Sequence, residues 1–228
     1  MRLVLASASP ARLGVLRAAG VDPVVRVSGV DEDAIAATMR DAEPAELVTA
    51  LAEAKADAVS SSIAVELPDC VLVSCDSMLA TGSGSQREVV GKPGTAEVAT
   101  QRWRSMAGGT GELVTGHAVR LLRGGTVTGR AGAAQSILIR FATPSEQELA
   151  AYVGTGEPLA VAGAFTLDGR GGWFVDGIDG DPSNVIGISL PLTRRLLGEV
   201  GVSIVDLWNG NGAQPQGCTV YDRGATSG

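Results

Sequence analysis

The chain has 228 residues, 45% of them hydrophobic and 19% charged, which is the balance of a globular protein with one sizeable core. The formal net charge of −7 disfavours a nucleic-acid-binding surface, which needs a basic face, but it allows a small anionic substrate in a local cationic pocket. No apolar run is long enough to cross a bilayer and the N-terminal run is too short for a signal peptide, so we expect a cytoplasmic protein that does not bind membranes.

The N-terminal half alternates short apolar strands with helices. Strands are predicted at residues 2–6, 24–27 and 70–75, and helices at residues 10–19 and 44–58. For the first helix, Ser9 has the chemistry of an N-cap, Pro10 is a typical first helical residue and Gly20 is a C-terminal stop. The apolar run before Asp76 is of the kind found in the middle of an α/β sheet.

The C-terminal half begins with a predicted helix at residues 95–106, followed by a long hairpin. Its two strands are predicted at residues 113–122 and 127–141, with a glycine pair between them. The segment Thr143–Glu146 has the pattern of a capping box with proline at the first helical position, which predicts a helix to about Val153.

The remaining residues predict less regular structure. Residues 163–187 are rich in Gly and Asp and are expected to be mostly loop, and residues 192–200 are expected to form the last helix. We assign residues 1–208 to a single domain and residues 209–228 to a poorly ordered tail rich in Gly, Gln and Ser. Strands that alternate with helices around an antiparallel pair predict an α/β fold with a mixed central sheet and flanking helices.

The segment from Ser7 to Arg12 is a candidate phosphate site. It joins the first strand to the first helix, where unpaired backbone N–H groups and the positive end of the helix dipole favour an anion. The hydroxyls of Ser7 and Ser9 add donors, and Arg12 in the first turn can grip phosphate oxygens as a fork. An ordinary capped helix with a solvated arginine gives the same pattern, so both interpretations stay open at this point.

Two carboxylates are candidates for metal binding or proton transfer. Asp76 ends the predicted buried strand, which is the usual position of an active-site residue in an α/β protein. A carboxylate there can bind a divalent cation or accept a proton from water. Glu32 lies between two aspartates, and an acidic triplet is more often a solvated loop than a metal site. The only histidine, His117, falls inside a predicted strand, which favours a structural role.

The use of lysine is unusual. Sixteen arginines accompany only two lysines, Lys55 and Lys92, so most cationic positions have become arginine. A site that needs a compact, rotatable ammonium would resist exchange for the larger, planar guanidinium, although chance survival explains the two lysines equally well. Lys55 projects from a largely apolar helix face, and Lys92 is held between Gly91 and Pro93.

Together these segments resemble the Maf family of nucleotide pyrophosphatases. Each matching motif is weak alone, whereas their number and order from residue 3 to about residue 197 are specific, and both lysines fall on family site positions. The principal motifs are Leu5–Arg12, Val30–Glu32, Leu51–Ala56, Cys75–Ser77, Gly91–Pro93, Ala162–Phe165 and Asn184–Pro191.

The resemblance implies a mixed α/β fold, like that of inosine triphosphatase, with two lobes around a cleft, and it also implies a homodimer. It implies hydrolysis of nucleoside triphosphates, including non-canonical or modified ones, to nucleoside monophosphate and pyrophosphate, with a divalent cation, Mg²⁺ or Mn²⁺. The matching residues would be Ser7, Ser9, Arg12, Lys55 and Lys92 for the phosphates, Glu32 and Asp76 for the metal, and Asp76 for the proton of the attacking water.

Some residues depart from the family pattern. Ala11 stands where many members have a second arginine, and residues 163–172 and 181–184 resemble two subgroups with different base preferences. The base therefore stays open. Two other functions stay open as well, namely a nucleotide-binding regulator of cell division with little turnover and a metal-dependent phosphatase that releases single phosphates.

Overall fold

A computed structural model describes residues 1–82 and 88–209. Seven strands share one sheet, and their bounds are β1 Arg2–Leu5, β2 Val24–Val25, β3 Cys70–Thr81, β4 Glu88–Val90, β5 Thr110–Arg123, β6 Thr126–Phe141 and β7 Val175–Asp179. The helices are α1 Pro10–Ala18, α2 Glu32–Thr38, α3 Pro44–Ile63, α4 Ala96–Met106, α5 Glu146–Gly154, α6 Pro182–Val185, α7 Leu190–Glu199 and α8 Ile204–Asn209. Short 3₁₀ segments occupy Glu157–Ala160, Ala162–Ala164 and Arg170–Phe174.

The sheet is mixed, as predicted. Its strand order is β2-β1-β3-β5-β6-β7, and β4 also pairs with β3. β1 runs parallel to β2 and β3, whereas β3, β5, β6 and β7 are successively antiparallel, which places the long hairpin in the middle of the fold. The predicted α/β class with flanking helices is therefore confirmed.

Local sequence signals define most element boundaries. Ser9 caps α1 by accepting a hydrogen bond from the Arg12 backbone N–H, and Pro10 is its first residue, both as predicted. Asp31 caps α2 in the same way, which resolves the acidic segment into a helix start. Thr95 caps α4, whose inner face buries Ala99, Trp103 and Met106.

The predicted capping box of the fifth helix was two residues out of place. Ser145, not Thr143, is the N-cap, because its side chain accepts from the Glu148 N–H while the Glu148 carboxylate accepts from the Ser145 N–H. Glu146, the residue expected to close the box, instead pairs with Arg104 on α4.

Tertiary packing overrode the sequence signal in three other places. α3 continues past residue 58 to Ile63 despite three serines, because Val59 and Ile63 are buried against the sheet. The loop predicted at residues 163–187 contains the edge strand β7 and the short helix α6, and its glycines and aspartates concealed both. α7 is not the last helix, since α8 follows it. The predicted tail at residues 209–228 lies almost wholly outside the described residues.

The buried side chains form clusters on both faces of the sheet. One face of its first half packs against α1 and α7, and the other face packs against α3. The second half packs one face against α4 and α5 around Trp103. Cys75 belongs to the first cluster and Cys70 to the second, so the two thiols point to opposite faces, as predicted. Within the described ranges, no helix is long and apolar enough to cross a membrane.

Helix α3 approaches β5 closely at one glycine. A Cβ on Gly116 would lie 2.2 Å from the carbonyl oxygen of Val48, which is backbone and cannot move aside without shifting the helix. Gly116 is the cross-strand partner of Asp76, so this contact also sets how close α3 comes to the carboxylate.

We predict that Gly116→Ala lowers the free energy of unfolding by on the order of 3 kcal/mol because it overpacks this contact. Gly14→Ala is the matched control, because Gly14 lies in α1 with open space around it. This substitution should raise the free energy of unfolding by about 0.5–1 kcal/mol. Urea unfolding of both variants measures the difference, and equal effects would contradict the close-packing account.

Candidate active site

The ammonium of Lys55 lies between two carboxylates. Its Nζ is 2.6 Å from Asp76 Oδ1 and 2.8 Å from Glu32 Oε1. Lys55 and Asp76 are only 7% and 8% exposed, whereas the side chain of Glu32 is half exposed. Three elements, α3, β3 and α2, therefore meet at a charged cluster that opens to solvent on the side of Glu32.

Strand β3 presents Asp76 at a gap in its pairing. On one edge β5 pairs with the whole strand, from Cys70 to Thr81. On the other edge β1 pairs only with residues 70–73 and β4 only with residues 79–81. Asp76 lies within the open stretch between them and not at a strand end as predicted, because pairing with β5 continues the strand through polar residues. The interruption of the opposite edge, not the end of the strand, makes Asp76 accessible.

The turn after β1 enters this gap. The Ala6 N–H donates to the Val73 carbonyl, so Ser7 follows β1 toward the level of Cys75. The Ser7 hydroxyl accepts from the Ser9 N–H at 3.2 Å, while the Ser9 hydroxyl caps α1. The N-terminal end of α1 and the Ser7 turn therefore lie at the level of Cys75, the residue before Asp76 on β3.

The Arg12 guanidinium donates most of its hydrogen bonds to other groups of the protein, so it is not free to bind phosphate with both Nη atoms. Its Nε donates to the Gly187 carbonyl at 2.8 Å, and its Nη1 donates to the Cys75 carbonyl at 2.8 Å and to Ser7 Oγ at 3.1 Å. Its Nη2 donates to Ser77 Oγ at 3.1 Å. One N–H of Nη2 is left over, so the guanidinium braces the Ser7 turn against β3 and can offer a substrate one donor at most in this arrangement.

The sequence did not indicate a series of hydrogen bonds that continues from Ser77, a partner of Arg12, to Ser189. Ser77 Oγ is 3.0 Å from Thr115 Oγ1 on β5, and the Thr115 carbonyl accepts from His117 Nδ1 at 3.1 Å. His117 Nε2 accepts from the Ser189 backbone N–H at 2.8 Å. The motif at residues 184–191 signalled that this segment matters, but only the fold reveals that it supports the active-site turn through Gly187 and Ser189.

Burial sets the protonation states of His117 and Cys75, two groups close to Arg12. Desolvation lowers the pKa of His117 to about 4, so the ring is neutral at pH 7, donates from Nδ1 and accepts at Nε2. Desolvation raises the pKa of Cys75 to about 12, so this thiol is not a nucleophile even though it neighbours Asp76. The predicted structural role of His117 is consistent with its full burial.

Lys92 is not joined to the cluster. It is exposed in the loop after β4, and within residues 1–82 and 88–209 it makes no hydrogen bond or ion pair with the other predicted site residues. Because Val90 pairs with Leu79 in antiparallel register, the chain leaves β4 in the direction of Ser77. The loop start is fixed by the Gly91 carbonyl, which accepts from Arg102 and from Gly163. A shared cleft that includes Lys92 stays a prediction.

Comparisons with known proteins find similarity over nearly the whole chain. A family model that describes Maf-like proteins matches residues 2–200. A nucleoside triphosphate pyrophosphatase of Saccharopolyspora erythraea is 64% identical over 208 residues, which cover 91% of this chain and 97% of the relative. Relatives of the same name from Nocardia farcinica and Rhodococcus opacus are 60% and 57% identical, over 90% and 92% of this chain and 96% and 97% of their own lengths.

The buried His117 predicts a specific pH dependence of stability. In the unfolded chain the imidazole takes up a proton near its ordinary pKa of 6.5, whereas in the folded chain it does so at about 4. The folded state is therefore fully stabilised above pH 6.5 and loses on the order of 3 kcal/mol as the pH falls toward 4. His117→Asn removes this titration, so the gap between wild-type and variant unfolding free energies should narrow between pH 6.5 and 5. A gap that stays constant would contradict the assignment.

Proposed function

The chain belongs to the Maf family, and from the geometry of its site we propose that it hydrolyses nucleoside triphosphates to nucleoside monophosphate and pyrophosphate. The observation that carries the proposal is the ammonium of Lys55 between Asp76 and Glu32 at the open edge of β3. A cation, two carboxylates and a helix N-terminus in one cleft can hold a polyphosphate and activate water beside it.

Phosphate binding is assigned to donors on two sides of Asp76. The Ser7 turn and the N-terminal end of α1, with Ser9 at its cap and Arg12 behind it, supply hydrogen-bond donors on the β1 side. Lys55 supplies a positive charge from α3, and Lys92 would supply a second one from the β4 side. Lysine suits both positions because its ammonium can rotate to follow phosphate oxygens as charge moves toward the leaving group.

The reaction needs a proton acceptor, and we assign this role to Asp76. The water oxygen bonds to the α-phosphorus, the bond from that phosphorus to the oxygen bridging it to the β-phosphorus breaks, and pyrophosphate leaves. A water proton passes to the Asp76 carboxylate, which is held by the ion pair with Lys55 on a strand that β5 keeps rigid.

The carboxylates also fit a divalent cation. Within the described ranges, His, Cys, Asp and Glu form no group of three that could hold a metal alone. Mg²⁺ commonly binds through one or two carboxylates together with substrate phosphates, which is what Glu32 and Asp76 could offer. When bound, Mg²⁺ or Mn²⁺ would lower the pKa of water and neutralise phosphate charge.

Two other functions are separated from this one by their products. Pyrophosphate release supports the proposal, orthophosphate release would mean a phosphatase, and nucleotide binding without either product would mean a division regulator. We further propose a cytoplasmic homodimer, on the family resemblance and the free, buried thiols of Cys70 and Cys75. Sedimentation equilibrium of the purified chain tests the dimer.

We predict that Asp76→Asn lowers pyrophosphate release by on the order of 10²–10⁴-fold, the usual contribution of a positioned general base. Nucleotide affinity should survive, because the phosphate donors remain and one negative charge is lost. Turnover and affinity must be measured on the same variant. Retained turnover would exclude Asp76 as proton acceptor and make Glu32 the next carboxylate to test.

Lys92 provides a test of the ammonium argument. Lys92→Ala should weaken triphosphate turnover strongly, because a phosphate charge would lie uncompensated in a partly desolvated cleft. Lys92→Arg should rescue only part of the loss, since the guanidinium is larger and planar. Steady-state kinetics of the two variants decide the matter, and full activity of Lys92→Arg would contradict a requirement for lysine.

A further inference from the structure

The loop that carries Lys92 reaches the open edge of β3 from the β4 side. Val90, the last residue of β4, pairs with Leu79 in antiparallel register, so the chain beyond it runs back along β3 toward Ser77. Lys92 is exposed, whereas the next residue, Pro93, is buried. The proline therefore anchors the loop directly after the exposed lysine.

Hydrogen bonds fix both ends of this loop. The Gly91 carbonyl accepts from Arg102 Nη1 at 2.6 Å and from the Gly163 N–H at 3.2 Å. The Gly94 N–H donates to the Leu159 carbonyl at 3.1 Å. The backbone is thus held on either side of the lysine, by α4 and by the 3₁₀ segments that follow α5.

A strained turn at residues 161–165 supports the start of the loop. Gly163 has a φ of 74°, and a Cβ there would lie 2.5 Å from a methyl carbon of Leu79, so the turn lies directly on β3. Among the described residues, Ala164 is the only one other than glycine with a positive φ, at 61°. This backbone conformation is unfavourable for alanine and persists only where the surroundings impose it.

Two consecutive residues of α4 hold the turn and the loop together. Trp103 Nε1 donates to the Ala164 carbonyl at 2.7 Å, and both residues are fully buried. Arg102, the residue before it, donates to the Gly91 carbonyl, which also accepts from the turn at Gly163. Three aromatic rings contact the tryptophan, so its side chain is fixed by packing and α4 is a firm support for the loop.

We propose that Arg102 is a positioning residue for Lys92. A lysine side chain is long and flexible, so the place where its backbone is held decides which anions its ammonium can reach. By fixing the Gly91 carbonyl, Arg102 presents the ammonium to the triphosphate at the open edge of β3. The inference rests on the proposed pyrophosphatase function and on the role proposed there for Lys92. It also gives the motif at residues 162–165 a role, since that motif supplies the second donor to the same carbonyl.

A double-mutant cycle of Arg102 and Lys92 tests the inference, with the triphosphate that the wild-type protein hydrolyses fastest. Arg102→Met keeps an unbranched side chain but removes every N–H donor, and it should lower kcat/KM by on the order of tenfold. In a Lys92→Ala background the same substitution should change kcat/KM by less than about twofold, because the group it positions is absent. Arg102→Lys keeps a donor for the carbonyl and should restore part of the loss. The affinity for inorganic tripolyphosphate should follow the same pattern in these proteins, and its measurement needs no turnover.

Arg104→Met is the matched control. Arg104 also lies on α4, but its guanidinium pairs with Glu146 on α5, so its replacement should leave kcat/KM and tripolyphosphate affinity unchanged. The inference is overturned if Arg102→Met keeps full activity, if it causes an equal loss in both Lys92 backgrounds, or if Arg104→Met causes the same loss. Full activity of Lys92→Ala would overturn the role of that lysine and this inference with it. Wild-type protein that releases no pyrophosphate from any triphosphate would instead overturn the proposed function itself.

Discussion

Lys55 extends an ammonium from an otherwise apolar side of α3 into a place where water reaches it poorly, and there it contacts Asp76 and Glu32. A buried charge without a partner is costly, so the buried Lys55 and Asp76 depend on each other, and the half-exposed Glu32 adds a second partner for the ammonium. The ion pairs tie α2 and α3 to the middle of the sheet. Because Asp76 and Glu32 are the groups that a metal and a water molecule would approach, the interaction that completes the fold here also prepares the site for a divalent cation bound together with an anionic, phosphate-bearing substrate.

The rest of the architecture keeps this cluster open on one side only. β5 pairs along the entire length of β3 and closes one edge, while β1 and β4 stop short and leave the other edge open. Arg12 fills part of that gap. Its guanidinium donates hydrogen bonds to the Cys75 carbonyl and to the hydroxyls of Ser7 and Ser77. Its link to Gly187, and the link from His117 to Ser189, attach the active-site turn to the segment that leads into α7. The turn is thus held by residues distant in sequence.

The sequence predicted the elements that depend on local patterns and missed those that depend on partners. Apolar runs in the sequence predicted β1 and the first half of β3. The position of Lys55 on an apolar helix face indicated that this lysine belongs to the site. The extension of β3 past Asp76 was not predictable, because polar residues there are held in a strand by β5. The Arg12–Gly187 contact joins residues 175 positions apart, and no local pattern indicates it. The cap of α5 is an exception, because the Ser145 and Glu148 that form its capping box are three residues apart and this local pattern was present in the sequence.

The central claim is that water attacks the α-phosphorus beside Asp76. Hydrolysis of GTP by the wild-type protein in water enriched in oxygen-18, followed by mass spectrometry of the products, tests it most directly. The account predicts that the heavy oxygen enters guanosine monophosphate and that the pyrophosphate carries none. Label in the pyrophosphate, or labelled orthophosphate formed together with guanosine diphosphate, would contradict it, because the attack would then fall on the β- or γ-phosphorus.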